Sequence, residues 1–206
     1  DKESSAAVIF FLMDVSGSMS QDRKYLARSF FFLLYQFLNH RYERVEVVFI
    51  SHSTVAERVN EEDFFKVGTY GGTIISSALN RQLEVIDKEF HPNTWNIYTF
   101  YCGDGENWSS DNEKCIDLFK NIKDLSQLTA YCEINEHYGN FAEEDKEEVL
   151  PSGYPWPSFS AWKNEEMENL WSKLTPICDN KFKKVMIGHT DHIWKAFNQL
   201  FGGGTD

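Results

Sequence analysis

The segment 8–19, VIFFLMDVSGSM, constrains the fold of this chain more than any other stretch. Six consecutive apolar residues end in a polar cluster that contains Asp14, Ser16 and Ser18. An apolar run of this length, bounded by turn-forming residues, is typical of a strand buried on both faces. In open α/β sheets, ligands bind beyond the carboxyl ends of the strands. We therefore predict that the loop after this strand forms part of a ligand site.

The chemistry of the loop indicates which ligand it binds. Asp14 supplies a carboxylate, and Ser16 and Ser18 supply hydroxyl groups. These hard oxygen donors suit Mg²⁺, Mn²⁺ or Ca²⁺. Taken alone, the same residues are also compatible with a capped helix start, because Ser and Asp are preferred caps.

Apolar segments along the rest of the chain alternate between strand and helix patterns, which predicts an α/β fold. We expect a doubly wound, mostly parallel central sheet with helices on both faces. Residues 1–206 are predicted to form a single domain, with a long acidic and proline-rich loop or insertion at 135–160. Helices are predicted at 21–39, 74–90, 111–125, 159–174 and 192–201. Further strands are predicted at 45–50, 54–59 (an antiparallel edge), 95–101, 127–134 and 181–187.

Two other loops bring oxygen donors to the ends of these elements. Thr73 follows a glycine-rich stretch, and Asp104 lies between Gly103 and Gly105 after a predicted strand. Because the carboxyl ends of neighbouring parallel strands share one edge of the sheet, we expect all five donors to converge on one cation. Mg²⁺ is the favoured metal, with one coordination position kept for an incoming carboxylate. Thr73 as a helix cap and Asp104 as a simple turn residue remain alternatives.

Four further residues could line the rim of this site and contact a partner. His52 follows a predicted strand, and Glu106, Asn107 and Trp108 follow Asp104 closely. A solvated loop is the alternative for His52, and an ordinary loop leading into a helix is the alternative for the other three.

The net charge and the short apolar runs disfavour nucleic acid and membranes as partners. The net charge of −12 disfavours non-specific binding to nucleic acid or to anionic membranes. The longest apolar run, at 29–38, is too short to span a bilayer.

The four cysteines contain no CxxC pair, which favours reduced thiols in a cytoplasmic protein. Because the chain begins without Met, we expect it to be part of a longer protein.

The five donors together resemble the metal-ion-dependent adhesion site of von Willebrand factor A-type domains. The pattern DxSxS at Asp14, Ser16 and Ser18, followed by Thr73 and then by Asp104, matches that site at every position. The resemblance covers the chain from about residue 7 to the last predicted helix. It implies a protein-binding module in which the cation bridges to a carboxylate of the partner.

Four longer segments resemble the bacterial YhbH/YeaH family. These segments are MDVSGSM, FISHST, GGTIISSAL and WNIYTFYCGDGENW. The resemblance implies a cytoplasmic protein of sporulation or stress responses, with this domain in its C-terminal half. It also implies partnership with a PrkA-type serine kinase and a SpoVR-like protein.

An enzymatic role is the main alternative to binding. Haloacid-dehalogenase-type phosphatases place a nucleophilic Asp after the first strand and a second Asp two residues later as general acid. Here the second position is Ser16, which cannot act as that acid near neutral pH. We therefore expect a binding module rather than an enzyme, with a metal-dependent phosphatase-like hydrolase that uses Asp14 as the alternative.

Overall fold

Most strands of the chain form one mixed sheet in the computed structural model, which describes residues 6–66, 71–135 and 167–202. Six strands lie in the order β3-β2-β1-β4-β6-β8, and only β3 runs antiparallel to its neighbour. Strands β5 and β7 form a separate antiparallel ribbon. The strands are β1 (Ala6–Asp14), β2 (Arg44–His52), β3 (Ala56–Val59), β4 (Asn96–Gly103), β5 (Glu106–Trp108), β6 (Leu128–Ile134), β7 (Met167–Asn169) and β8 (Phe182–Ile187).

Helices cover both faces of this sheet. One hydrophobic cluster joins alternate β1 side chains to α1, α2 and α6, and the other joins the remaining β1 side chains to α3, α4 and α5. The helices are α1 (Gln21–Arg41), α2 (Glu61–Lys66), α3 (Ile75–Glu89), α4 (Asn112–Leu125), α5 (Trp171–Leu174) and α6 (Asp191–Phe201). This arrangement confirms the predicted doubly wound, mostly parallel α/β fold.

Strand β1 lies at the centre of the sheet because every one of its residues from Ala7 onward is buried. Phe11 pairs in register with Phe49 of β2 and Phe100 of β4, and its ring stacks on Phe31 of α1 at a centroid distance of 4.2 Å. Successive side chains of a strand point to opposite faces, so an unbroken apolar run fits a strand covered on both sides.

The helices that precede the two neighbours of β1 lie on opposite faces of the sheet. Helix α1 joins β1 to β2 on one face, and α3 leads to β4 on the other face. The point between β1 and β4 is therefore a topological switch point, where α/β sheets form ligand crevices.

The helix predicted at 159–174 is wrong at 167–170 and confirmed at Trp171–Leu174, and the rest of it lies outside the described residues. Residues Met167–Asn169 form strand β7, and only Trp171–Leu174 is α-helical. The backbone N–H of Leu170 donates to Gly105 O at 3.0 Å, and the Asn169 side chain accepts from the N–H of Trp171 at 2.8 Å. Pairing with β5, which is distant in sequence, prevails over the local apolar spacing that suggested a helix.

Other sequence predictions hold or stay untested. The antiparallel edge strand appears as β3, and the short helix α2 follows it. The loop or insertion at 135–160 lies outside the described residues except for Asn135, and the single-domain assignment of 1–206 stays a prediction. No helix in the described ranges is both long and apolar enough to cross a bilayer.

Candidate metal centre

Asp14 ends β1 and forms the centre of a group of oxygen donors. Its carboxylate accepts from the backbone N–H of Ser16 at 2.7 Å and from the Thr73 hydroxyl at 3.4 Å. The Ser16 and Ser18 hydroxyls lie 3.0 Å apart. Asp14, Ser16 and Thr73 are buried, whereas Ser18 is exposed, so the group reaches the surface on one side.

Asp104 approaches the same place from the end of β4, the strand beside β1. Its side chain is 4% exposed, and one of its oxygens accepts from the backbone N–H of Glu106 at 3.1 Å. Its charge acts on Asp14 strongly enough to raise the pKa of that carboxyl. The structure thus places all five predicted donors at one edge of the sheet.

The surroundings of Asp14 disfavour the ionised form of its carboxyl group. Burial and the neighbouring Asp104 raise the pKa of Asp14 to about 7, against the opposing hydrogen bonds from Ser16 and Thr73. Burial in a low-dielectric site disfavours an ionised carboxyl unless a positive charge compensates it. A divalent cation would supply that charge, and two carboxylates with three hydroxyls are a donor set that fits such an ion.

The donor set contains fewer acidic and histidine ligands than many metal sites. Across 6–66, 71–135 and 167–202, no group of three or more His, Cys, Asp or Glu side chains is arranged to hold a metal ion. The candidate centre depends instead on hydroxyl groups for three of its five protein donors.

Two basic residues of α1, which the sequence reasoning missed, also border the site. Arg23 donates to Ser18 O at 2.9 Å and to Asp104 Oδ2 at 3.3 Å, and Lys24 is buried close enough for its charge to interact with Asp14. Ser20 caps α1 by accepting from the N–H of Arg23 at 3.2 Å, which places the first helical turn against the loop. The approach of Arg23 to Asp104 depends on how α1 packs against the sheet, which the sequence pattern does not reveal.

Glu133 is a second residue that sequence reasoning missed. It is 3% exposed near the end of β6, and burial raises the pKa of its carboxyl to about 7. A hydrogen bond from Asn169 at 3.2 Å opposes that shift. Its position at the carboxyl end of a buried strand is the same signal that identified Asp14.

The predicted rim divides into buried and accessible residues. His52 is 1% exposed, so both its rim role and the alternative of a solvated loop are wrong. The same burial lowers the pKa of its imidazole to about 4. Asn107 is fully buried, and its rim role is also wrong. Glu106 is exposed and Trp108 is partly exposed, so these two can still meet a partner.

Asn107 instead holds the elements around the site together. Its side-chain oxygen accepts from the N–H of Ile75 at 3.0 Å, and Asp111 accepts from the N–H of Ser76 at 3.0 Å. These two side chains cap α3, whose own N-cap, Ile74, provides no side-chain hydrogen bond. Thr73 is therefore not the cap that the alternative reading expected, and its hydroxyl faces Asp14.

Comparison with known proteins identifies the family. The model of the family described as "Protein of unknown function (DUF444)" matches residues 1–203. A UPF0229 protein of Ruminiclostridium cellulolyticum is 49% identical over 184 residues, which cover 89% of this chain and 46% of that protein. A UPF0229 protein of Clostridium perfringens is 40% identical over 199 residues, covering 97% and 44%. The chain thus spans about half the length of these bacterial relatives.

Solved structures share the fold at low sequence identity. An aerotolerance-related membrane protein from Bacteroides fragilis has a TM-score of 0.59 at 14% identity, covering 96% of this chain and all of that one. The pilus adhesin SpaC of Lactobacillus rhamnosus GG has a TM-score of 0.57 at 13% identity, covering 95% of this chain and 29% of that one. At such identities the likeness concerns the fold alone. The matched family and the bacterial relatives support the resemblance that the four sequence segments suggested, and this chain belongs to the DUF444 family of proteins of unknown function.

Proposed function

We propose that this domain is a metal-dependent protein-interaction module. In this proposal Asp14, Ser16, Ser18, Thr73 and Asp104 hold a divalent cation, Mg²⁺ above Mn²⁺ or Ca²⁺, and the cation takes a carboxylate from an acidic surface of a partner protein. The observation that carries the proposal is the approach of donors from three separate loops at the switch point of the sheet. Thr73 contacts the buried Asp14, and the charge of Asp104 acts on the same carboxylate.

The geometry favours recognition over catalysis in this proposal. Ser18 is exposed beside the buried donors, so a cation there would be open to a ligand from outside. Ser16 occupies the position of the general acid that a phosphatase of the dehalogenase type requires. The hydrolase that uses Asp14 stays an untested alternative.

The family resemblance suggests where to look for the partner. A PrkA-type serine kinase and a SpoVR-like protein, acting in a cytoplasmic stress or sporulation pathway, are the candidates that we propose to test first. The chain spans about half the length of its curated relatives, so these partners are proposals for the whole protein.

Two measurements test the proposal. The first is Mg²⁺ binding to the wild type and to Asp14→Ala by calorimetry, where only the wild type is expected to bind. The second is capture of the candidate kinase with Mg²⁺ or with a chelator, where capture is expected to need both Mg²⁺ and Asp14. Equal capture under all conditions would contradict the metal bridge, and metal-dependent hydrolysis of a phosphate ester that Asp14→Ala abolishes would favour the enzyme instead.

A further inference from the structure

Arg23 is a cationic side chain within the candidate metal centre. It is 8% exposed, and its Nη1 atom lies 3.3 Å from Asp104 Oδ2 and 2.9 Å from Ser18 O. Both contacts are to residues of the proposed metal-binding set. A planar guanidinium suits such a position because it keeps its charge when buried and donates several hydrogen bonds in fixed directions.

The charge of Arg23 changes the balance of the site. Asp14 and Asp104 provide two negative charges, which a divalent cation alone would neutralise. Arg23 already pairs with Asp104, so the cation and Arg23 together exceed the charge of these two carboxylates by one. Two positive charges within a few ångströms repel each other appreciably at the effective dielectric of a protein.

We propose that Arg23 is a built-in competitor of the divalent cation, which lowers metal affinity and leaves the loaded site positively charged toward an incoming carboxylate. This inference rests on the proposed function, since it concerns the same site. The donation of Arg23 to Ser18 O holds its guanidinium beside the loop that carries the ligands. The metal and the arginine therefore share Asp104.

Calorimetric titration with Mg²⁺ alone tests this assignment. Arg23→Gln removes the charge but keeps a hydrogen-bond donor, and it is expected to bind Mg²⁺ about tenfold more tightly than the wild type. Arg23→Lys keeps the charge and is expected to stay within about threefold of the wild type. Arg28→Gln is the matched control on the same helix, because Arg28 is exposed and packs over Phe65.

Thermal unfolding is a second measurement, which distinguishes competition with the cation from simple support of the loop. Without metal, Arg23→Gln leaves Asp104 without this partner, and it is expected to melt at a lower temperature than the wild type. Added Mg²⁺ is expected to raise its melting temperature by more than that of the wild type. A residue that only supports the loop would lower both the metal-free melting temperature and the gain from Mg²⁺.

The outcomes separate this inference from the proposed function. If the wild type binds Mg²⁺ and Arg23→Gln binds equally or more weakly, the inference is wrong and the metal site stands. If neither protein binds Mg²⁺, both the metal site and the role of Arg23 are contradicted. If Arg23→Gln binds more tightly and Arg28→Gln does not, the inference is supported.

Discussion

The loops after β1 and β4 supply the two carboxylates of the candidate site, but they are organised in different ways. The β1 loop has several bonds among its own residues, which are the bond from the Ser16 N–H to Asp14, the Ser16–Ser18 contact and the Ser20 cap. Its long-range bonds run from the Val15 N–H to His52 O and from the Thr73 hydroxyl to Asp14. The β4 loop has one such local bond, from the Glu106 N–H to Asp104, and depends more on distant residues, because Arg23 pairs with Asp104 and the N–H of Leu170 donates to Gly105 O.

This difference shows which parts of a site can be built locally. A loop stabilised by neighbours in sequence keeps its geometry wherever the strand before it is placed. A loop stabilised by a helix on one side and a ribbon on the other acquires its geometry only when the whole edge of the sheet is assembled. Substitutions in the two loops should therefore have different consequences for stability and for metal binding.

The largest expected effect is that of Asp14→Asn, which removes the charge of the β1 loop. Loss of the carboxylate is expected to weaken Mg²⁺ binding by about a hundredfold or more. The metal-free variant is nevertheless expected to be about 1–4 kcal/mol more stable than the wild type at pH 8, because it avoids a buried negative charge. Chemical denaturation with a chelator measures that difference.

The pH dependence of this difference follows from the direction of the pKa shift. Folded Asp14 keeps its proton up to about pH 7, whereas the unfolded chain releases it near 3.8, so wild-type stability falls as pH rises between these values. The advantage of Asp14→Asn should therefore grow from pH 4 to 7 and then level off. Parallel pH profiles for the two proteins would contradict the assignment.

The next effect concerns the β4 loop, where Gly105→Ala is expected to destabilise the protein by about 2–3 kcal/mol. Gly105 has a φ of 91°, and a Cβ there would lie 2.5 Å from Asn169 Nδ2 and 2.6 Å from Glu133 Oε2. Gly17→Ala in the β1 loop is the control, because positive φ occurs at Gly71 and Gly105 among the described glycines and not at Gly17. Equal losses of unfolding free energy in the two variants would remove the contrast between the loops.

Asn107→Ala tests how far the β5–β7 ribbon supports the site. Removing its side chain leaves the N–H of Ile75 and the Asn112 side chain without this partner, at an expected cost of about 1–3 kcal/mol. Mg²⁺ binding should weaken as well, since α3 begins directly after Thr73. Asn121→Ala, on the exposed side of α4, should change stability by less than about 0.5 kcal/mol, and a similar change in both variants would show that Asn107 has no special role.

The smallest expected effect is that of Ser20→Ala, which removes the N-cap of α1. The expected loss is about 1 kcal/mol, because one helix N–H loses its acceptor. Since the β1 loop has its own hydrogen bonds, Mg²⁺ affinity should change little. A strong loss of Mg²⁺ binding, measured by calorimetry beside the loss of stability, would show that the loop depends on the helix start.

The positions of the five candidate donors could be predicted because each follows a buried strand or precedes a helix, and these boundaries are visible in the apolar pattern. Glu133 could have been found by the same rule. Arg23 could not, because its distance to Asp104 depends on how α1 packs against the sheet. The rim was misjudged at His52 and Asn107 for a similar reason, since local polarity does not reveal that a loop is covered.

The sequence by itself determined the central strand, the alternation of strands and helices, and the order of the oxygen donors along the chain. These properties follow from apolar periodicity and turn-forming residues, which act over a few neighbouring positions. Only the tertiary structure decided that β5 pairs with β7, that Asn107 and Asp111 cap α3, and that Arg23 meets Asp104. Each of these contacts joins groups distant along the chain, and the packing of the complete sheet edge, rather than local preference, brings them together.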